Sequence, residues 1–155
     1  MLTTSNPILR QLKWQESDLQ QILEIEKLSF NEYDAYTLED YFRFFCENPD
    51  LCIVAEFDNR IVGDMIARKI QDKLDLVSFV IHPSYRRFGI GTALLDCTIQ
   101  KCRDYRLIQI ELEVRKSNFP GVSFWKKMGF NVFGEIKQFY GDGEDALQMR
   151  KIINK

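Results

Sequence analysis

Arg86-Arg87-Phe88-Gly89-Ile90-Gly91-Thr92-Ala93-Leu94-Leu95 is the stretch that decides how this chain folds. It follows the apolar run Leu74 to Ile81 and opens an apolar periodicity that continues to Tyr105. A strand therefore passes through a basic, glycine-containing turn straight into a helix, which builds a cradle for an anion. Glycine removes the Cβ atoms that would hold a phosphate off the backbone N–H groups. The unsatisfied amides and positive dipole end of the new helix face the same point. Arg86 and Arg87 add two permanent positive charges there. The spacing separates cofactor classes. A dinucleotide fingerprint G-x-G-x-x-G needs glycine where Leu94 stands, and the ATP-type loop needs a Gly-Lys pair that the chain lacks. Arg-x-x-Gly-x-Gly at a helix start remains, either as a phosphate cradle or simply as a tight strand-to-helix turn.

Composition bounds the other possibilities. A chain of 155 residues suits one domain, 1–155, and can bury a real core. A hydrophobic share of 45% with 28% charged residues is ordinary for a globular protein. The net charge of −2 argues against a nucleic-acid-binding surface. No N-terminal apolar segment and no apolar run of spanning length is present, so neither secretion nor a membrane partner is expected. Cys46, Cys52, Cys97 and Cys102 form no C-x-x-C pair and have only His82 to help them. No metal site is expected, and the thiols read as the reduced cysteines of a cytoplasmic protein. His82, just before Pro83, reads as a turn residue, which removes Ser-His and Cys-His nucleophiles from consideration.

Strand and helix patterns alternate along the chain. Ile8 to Lys13 reads as a first strand, and Ser17-Asp18-Leu19-Gln20 as a capping box opening a helix through Leu19, Ile22, Leu23, Ile25, Glu26 and Phe30. Thr37 reads as the N-cap of a second helix through Tyr41, Phe42 and Phe45, stopping before Pro49. Leu51 to Phe57 and Ile61 to Ile70 are strands joined by the turn Asp58-Asn59-Arg60, and Gln71-Asp72-Lys73 turns into the strand Leu74 to Ile81. The helix Ile90 to Tyr105 and strand Leu107 to Val114 complete a parallel crossover. Pro120 to Met128 reads as a short helix closed by Gly129. Final strands, Phe130 to Phe139 and Asp145 to Ile152, flank the Gly141-Asp142-Gly143 turn. The expected fold class is α/β, a mixed twisted sheet with helices on its faces.

Four blocks in this order carry a resemblance. Val80-Ile81-His82-Pro83-Ser84-Tyr85-Arg86-Arg87-Phe88-Gly89-Ile90-Gly91 resembles the pyrophosphate-binding block of the GNAT acetyltransferases, which use acetyl-CoA. Leu112-Glu113-Val114-Arg115 followed by Ser117-Asn118 is similar to a block of the RimI-type protein N-terminal acetyltransferases. Lys127-Met128-Gly129-Phe130 and Gly143-Glu144-Asp145-Ala146-Leu147-Gln148-Met149 resemble that family's closing segments. The element order also matches the GNAT fold over essentially the whole chain.

The resemblance implies roles, residue by residue. The cradle, Arg86, Arg87, Phe88, Gly89, Ile90, Gly91 and Thr92, would hold the pyrophosphate of acetyl-CoA. Phe79, Val80 and Ile81 would present main-chain N–H groups to the thioester where their strand splays from the next; a buried core strand is the plain alternative. Asn118 would contact the coenzyme. Glu113 would be the general base, and the residues themselves allow it: Gln109, Glu111 and Glu113 share one face of their strand, with Ile108, Ile110, Leu112 and Val114 on the other. A solvated residue or an ion pair with Arg115 is the alternative. The chain departs from the family at Trp125, where RimI-type enzymes carry a proton-donating tyrosine. An indole N–H donates a hydrogen bond but gives up no proton, so Trp125 can steady a sulfur, and the acid is either Tyr140 or, more slowly, water. The link Phe30 to Thr37, with Asn31-Glu32-Tyr33-Asp34, and the loop near Tyr140 would select the amine. The proline and tryptophan often present in that link are missing.

These readings imply an N-acetyltransferase, a monomer or homodimer, moving acetyl from acetyl-CoA to a primary amine, foremost a protein or peptide N-terminus. Small amines such as polyamines, amino acids or aminoglycosides stay open as acceptors, as does a weakly catalytic coenzyme-A-binding module.

Overall fold

The structure is a computed structural model that describes residues 6–32 and 34–154. Strands β1 (Ile8–Gln11), β2 (Cys52–Phe57), β3 (Arg60–Ile70) and β4 (Lys73–Ile81) form an antiparallel half-sheet. Strands β5 (Gln109–Arg115), β6 (Asn131–Ile136) and β7 (Ala146–Ile152) form a second one, in the order β5-β7-β6. The halves meet only where β4 runs parallel to β5, through Lys73–Gln109, Leu74–Ile110 and Asp75–Glu111. Helices α1 (Glu16–Ser29), α2 (Leu38–Glu47), α3 (Ile90–Asp104) and α4 (Phe119–Lys127) complete the chain. This is the α/β mixed sheet expected from the sequence. No helix among the described residues is long and apolar enough to cross a membrane.

Two cores follow from the alternation of strand side chains. On one face, Ile90, Leu94 and Leu95 of α3 and Trp125 of α4 pack on Ile53, Met65, Leu74, Ile110, Leu112 and Val114. On the other, Ile22 and Ile25 of α1 and Tyr41 and Phe44 of α2 pack on Val54, Ile66 and Val80. Full burial of such a side chain contributes roughly 1.5–3 kcal/mol. The β2–β3 connection is tighter than anticipated. Asp58 and Asn59 alone form the turn, both at left-handed φ (52° and 62°), and Arg60 already belongs to β3.

Thr37 is the N-cap the sequence indicates, and Asp40 makes it a reciprocal capping box. The box at Ser17 does not form. Helix α1 begins at Glu16 with Gln15 as an N-cap that makes no side-chain bond. Asp18 explains the difference. Its carboxylate is fixed by Arg10 at 2.7 and 2.9 Å and by the Lys13 amide at 2.9 Å, which ties the start of α1 to β1. Gln20 bonds Glu16 instead of reaching back to a cap.

A bulge shapes β4. Pairing with β3 jumps from Ile66–Ser78 to Ala67–Leu76, so Val77 is an extra residue. Val77 and Ser78 consequently both turn toward α1 and α2. A buried polar knot holds them there. The Ser78 hydroxyl donates to Asp64 Oδ1 at 2.8 Å, Tyr41 Oη donates to Glu26 Oε1 at 2.7 Å, and the Tyr36 amide donates to Glu26 Oε2 at 3.2 Å. Tyr36 Oη completes the knot by donating to the Val77 carbonyl at 2.9 Å.

Glu26 and Asp64 are each only 1% exposed. Burial and the neighbouring Glu26 charge, opposed by hydrogen bonding from Ser78 and Tyr41, push the Asp64 carboxyl up to about 8. Its folded-state value thus lies above its unfolded one, so the folded protein binds the extra proton and loses stability as pH rises toward 8. Asp64→Asn keeps an Oδ1 acceptor for Ser78 and removes the titration. Melting curves between pH 5 and 8 should therefore flatten for this variant, by at most about 1.4 kcal/mol per pH unit; unchanged pH dependence would exclude Asp64 as the source.

Candidate active site

The turn into α3 has the geometry its sequence suggests. Arg87 and Gly89 are both left-handed, at φ 72° and 78°, and Gly89 caps α3 without any side chain. The first intrahelical bond to this cap is from Ala93 to the Gly89 carbonyl, so the amides of Ile90, Gly91 and Thr92 have no partner from the helix itself. Arg86, Arg87 and Phe88 are exposed around them. A pyrophosphate fits this arrangement: convergent donors, a positive helix end, and open space at Gly89, where an added Cβ meets nothing within 4 Å. His82 is the turn histidine expected, its Nδ1 accepting from the Ser84 amide.

Beyond Asp75, β4 has no partner on the β5 side. His82 donates its amide to Val62 of β3, and successive residues of an antiparallel strand alternate in direction. The amides of Ile81 and Phe79 therefore face the gap, while that of Val80 points to β3. Of the three residues suggested for the thioester, Phe79 and Ile81 present main-chain donors, and Val80 supplies a core side chain.

Glu113 lies on the face of β5 opposite Ile110, Leu112 and Val114, which are core residues. It is exposed, stands beyond the last parallel pair with β4, and is opposite Gln148 of β7. Partial withdrawal from water, reinforced by Asp75 and Glu111, holds its carboxyl above the usual carboxylate range. The alternative ion pair with Arg115 is absent. Arg115 is instead bonded to Asp34 at 2.6 and 2.8 Å, Asp142 at 2.9 and 3.0 Å, and Glu144 at 2.8 Å. One guanidinium thus joins the α1–α2 connection to the β6–β7 loop. Nothing in the sequence pattern pairs Arg115 with these acids. The signal available was only their charge and their place in the two segments assigned to acceptor selection.

Tyr140 lies under that guanidinium, 4.2 Å from the ring centre. Burial and the nearby Asp34 hold its phenol well above its ordinary value, with Arg115 opposing and Glu113 and Glu144 adding to the rise. It is thus a firm hydrogen-bond donor and a reluctant acid. Asn118 has a structural duty that the sequence reading omitted: it caps α4, its Oδ1 accepting from the Gly121 amide at 3.0 Å, which leaves the Nδ2 hydrogens to bond elsewhere. Trp125, placed beside a sulfur by the resemblance, is 8% exposed and stands edge-on to Phe79, Phe124 and Phe130 at 4.9, 4.9 and 5.0 Å, so its indole is also a packing residue. Tyr33 of the acceptor link lies outside the described residues, while Glu32 is exposed beside it.

A splayed parallel seam above an amide cradle defines the architecture of an acyl-coenzyme-A-dependent transferase. Residues 19–130 match the model of the acetyltransferase (GNAT) family, and the chain belongs to that family. It is 33% identical over 147 residues to an N-alpha-acetyltransferase of Sulfurisphaera tokodaii, covering 86% of each protein. It is 31% identical over 140 residues to a putative ribosomal protein bS18-alanine N-acetyltransferase of Bacillus subtilis, covering 89% of this chain and 91% of that one. The structure of Ard1 from Thermoplasma volcanium superposes with a TM-score of 0.88 at 26% identity, over 96% of this chain and 99% of that one. The chain is thus an N-acetyltransferase whose cosubstrate is acetyl-CoA.

Gly91 allows a test with opposed signs. An added Cβ would meet the rings of Phe124, at 3.5 Å, and Phe79, at 4.0 Å, both ordinary contacts. Gly91→Ala should therefore raise the melting temperature of the free protein, by up to about 1 kcal/mol in helix propensity, and at the same time weaken coenzyme A binding in calorimetry. Unaltered affinity would mean that no phosphate approaches this turn.

Proposed function

We propose that this protein acetylates the N-terminal α-amine of proteins or peptides, working in the cytoplasm as one catalytic domain spanning 1–155. The observation that carries the reading is Glu113, an uncompensated carboxylate of raised proton affinity at the mouth of the seam. An α-ammonium loses its proton near 7.7–8.0, a lysine near 10.4. A carboxylate base matches the first far better than the second. The names of the two relatives agree in kind, since both denote transfer to protein N-termini. Four free cysteines are in keeping with a reducing compartment.

Acetyl-CoA supplies the acetyl group as a thioester. The amides from Ile90 to Thr92, with Arg86, Arg87 and the Nδ2 group of Asn118, anchor the coenzyme. The Phe79 and Ile81 amides donate to the carbonyl oxygen as it gains charge. Glu113, directly or through one water, takes the proton that the ammonium must lose before its nitrogen attacks. As nitrogen bonds to the carbonyl carbon and the carbon–sulfur bond breaks, the nitrogen gives up its second proton to water, and the departing thiolate, steadied by a hydrogen bond from Tyr140, takes one up from water. Arg115 acts on geometry, holding both loops that frame the acceptor.

Transfer to a panel of free-amine peptides, N-blocked lysine peptides and polyamines, read by mass spectrometry, tests the assignment. Mass gain confined to free α-amines is expected; gain on polyamines alone would move the acceptor to small molecules. Glu113→Gln should lower kcat at least about 100-fold, the usual scale of general-base catalysis, with coenzyme affinity retained. Arg115→Met should raise the peptide KM several-fold while the acetyl-CoA KM holds. Equal effects on both would mean that the ion cluster does not serve the acceptor.

A further inference from the structure

Asp75 is the last residue of β4 with a partner on β5. It is in register with Glu111 of β5 on one side and with Arg68 of β3 on the other. Asp75, Glu111 and Glu113 therefore lie on adjoining rungs of the same sheet surface, away from the core formed by Leu74, Leu76, Ile110 and Leu112. Only Glu111 is directly neutralised, by Lys73 Nζ at 2.5 Å. The other cations nearby are engaged. Arg68 bonds Glu47 at 2.9 and 3.4 Å, Arg150, opposite Glu111 on β7, lies over the Phe133 ring, and Arg115 is held by its three acids. Among the described residues, Asp75 and Glu113 have no ion-pair partner.

The remaining titratable groups around the pair are phenols and more acids. Tyr36, from the α1–α2 connection, spends its Oη on Val77 and is pushed upward by burial and by Glu26, Asp75, Asp40 and Glu113. Tyr140 also feels the charge of Glu113. Asp75 is raised by burial, against the pull of Arg68 and Lys73 and with the help of Glu111. A like charge on the neighbouring strand, with no ion-pair partner of its own, makes Glu113 hold a proton more tightly.

We propose that Asp75 is a positioning residue for the acetyl transfer: its unneutralised charge on the neighbouring strand, added to the partial withdrawal of Glu113 from water, readies that carboxylate to deprotonate an α-ammonium. This rests on Glu113 acting as the base. Asp75 touches no reacting atom; it acts on Glu113 through the field between them. Base strength and reactivity rise together, so the same charge that moves the titration also sets the plateau rate.

The test is the pH profile of kcat/KM for a free-amine peptide, measured with Asp75→Asn, Asp75→Glu and Glu113→Gln. Loss of the Asp75 charge lowers the proton affinity of Glu113, so the acid limb of Asp75→Asn should move to lower pH by about half a unit or more. Its plateau should fall several-fold, with acetyl-CoA KM changed less than about two-fold. Asp75→Glu keeps the charge and should return the limb toward that of the unaltered protein, which a merely structural role would not require. An unmoved limb in Asp75→Asn, with Glu113→Gln inactive, overturns this inference and leaves the base intact. Full activity in Glu113→Gln overturns both. A readout needing no Asp75 variant is the 13C-carboxyl titration of Glu113 in the unaltered protein, assigned with Glu113→Gln; a midpoint at the ordinary value of about 4.3 would also overturn it.

Discussion

Everything functional in this molecule depends on one bend. The extra residue Val77 turns β4 away from β5, and the knot of Glu26, Tyr41, Ser78 and Asp64 keeps the bend in place. Burying two carboxylates is unfavourable unless each is bonded or protonated. Here the hydroxyl groups of Tyr41 and Ser78 and a raised proton affinity at Asp64 meet that condition. Tyr36 extends the knot outward, fastening the α1–α2 connection to the Val77 carbonyl at the edge of the opening. The shape of the cleft and the position of the segment over it thus have a common origin.

Charge is distributed with equal economy. Around the acceptor loops charge is paired across distance: Arg115 answers Asp34, Asp142 and Glu144, and Lys116 and Lys137 answer Glu135. Along the seam the pattern reverses. Lys73 satisfies Glu111, and the next carboxylates on either side carry no counter-charge. A surface that is neutralised where it must be rigid and left anionic where it meets a cation uses the same residue types for opposite ends. An approaching ammonium is attracted to these two unanswered carboxylates.

Local signals were read from the chain with little error. The glycine turn into α3, the Thr37 N-cap and the helix closed by Gly129 each depend on residues within a few positions of one another, and each formed. Glu113 was placed on the open face because a strand alternates regardless of its neighbours. What escaped notice was set across distance. Asp18 belongs to Arg10, which cancels the Ser17 box. The Arg115 cluster spans 27 to 81 residues of chain. The packing of Trp125 against Phe79 and Phe130 likewise joins residues from three different segments. The bulge leaves no trace in the apolar alternation of Leu74 to Ile81, because Val77 and Ser78 share a face in only one registration against β3.

The parting of the strands also bears on how the protein survives between encounters. From Leu76 to Ile81 the inner edge of β4 is main chain without a strand beside it, the kind of edge on which other chains readily add. Here the hazard is turned inward, facing a wedge bounded by β5, with Tyr36 pinned at its rim. A foreign strand would need to enter lengthwise between two halves of a sheet already joined at one end. A slender ligand can do so, and by binding only the folded form it adds its own free energy to stability. The cosubstrate is in that sense also a conformational partner, and a cell rich in it keeps this sheet closed.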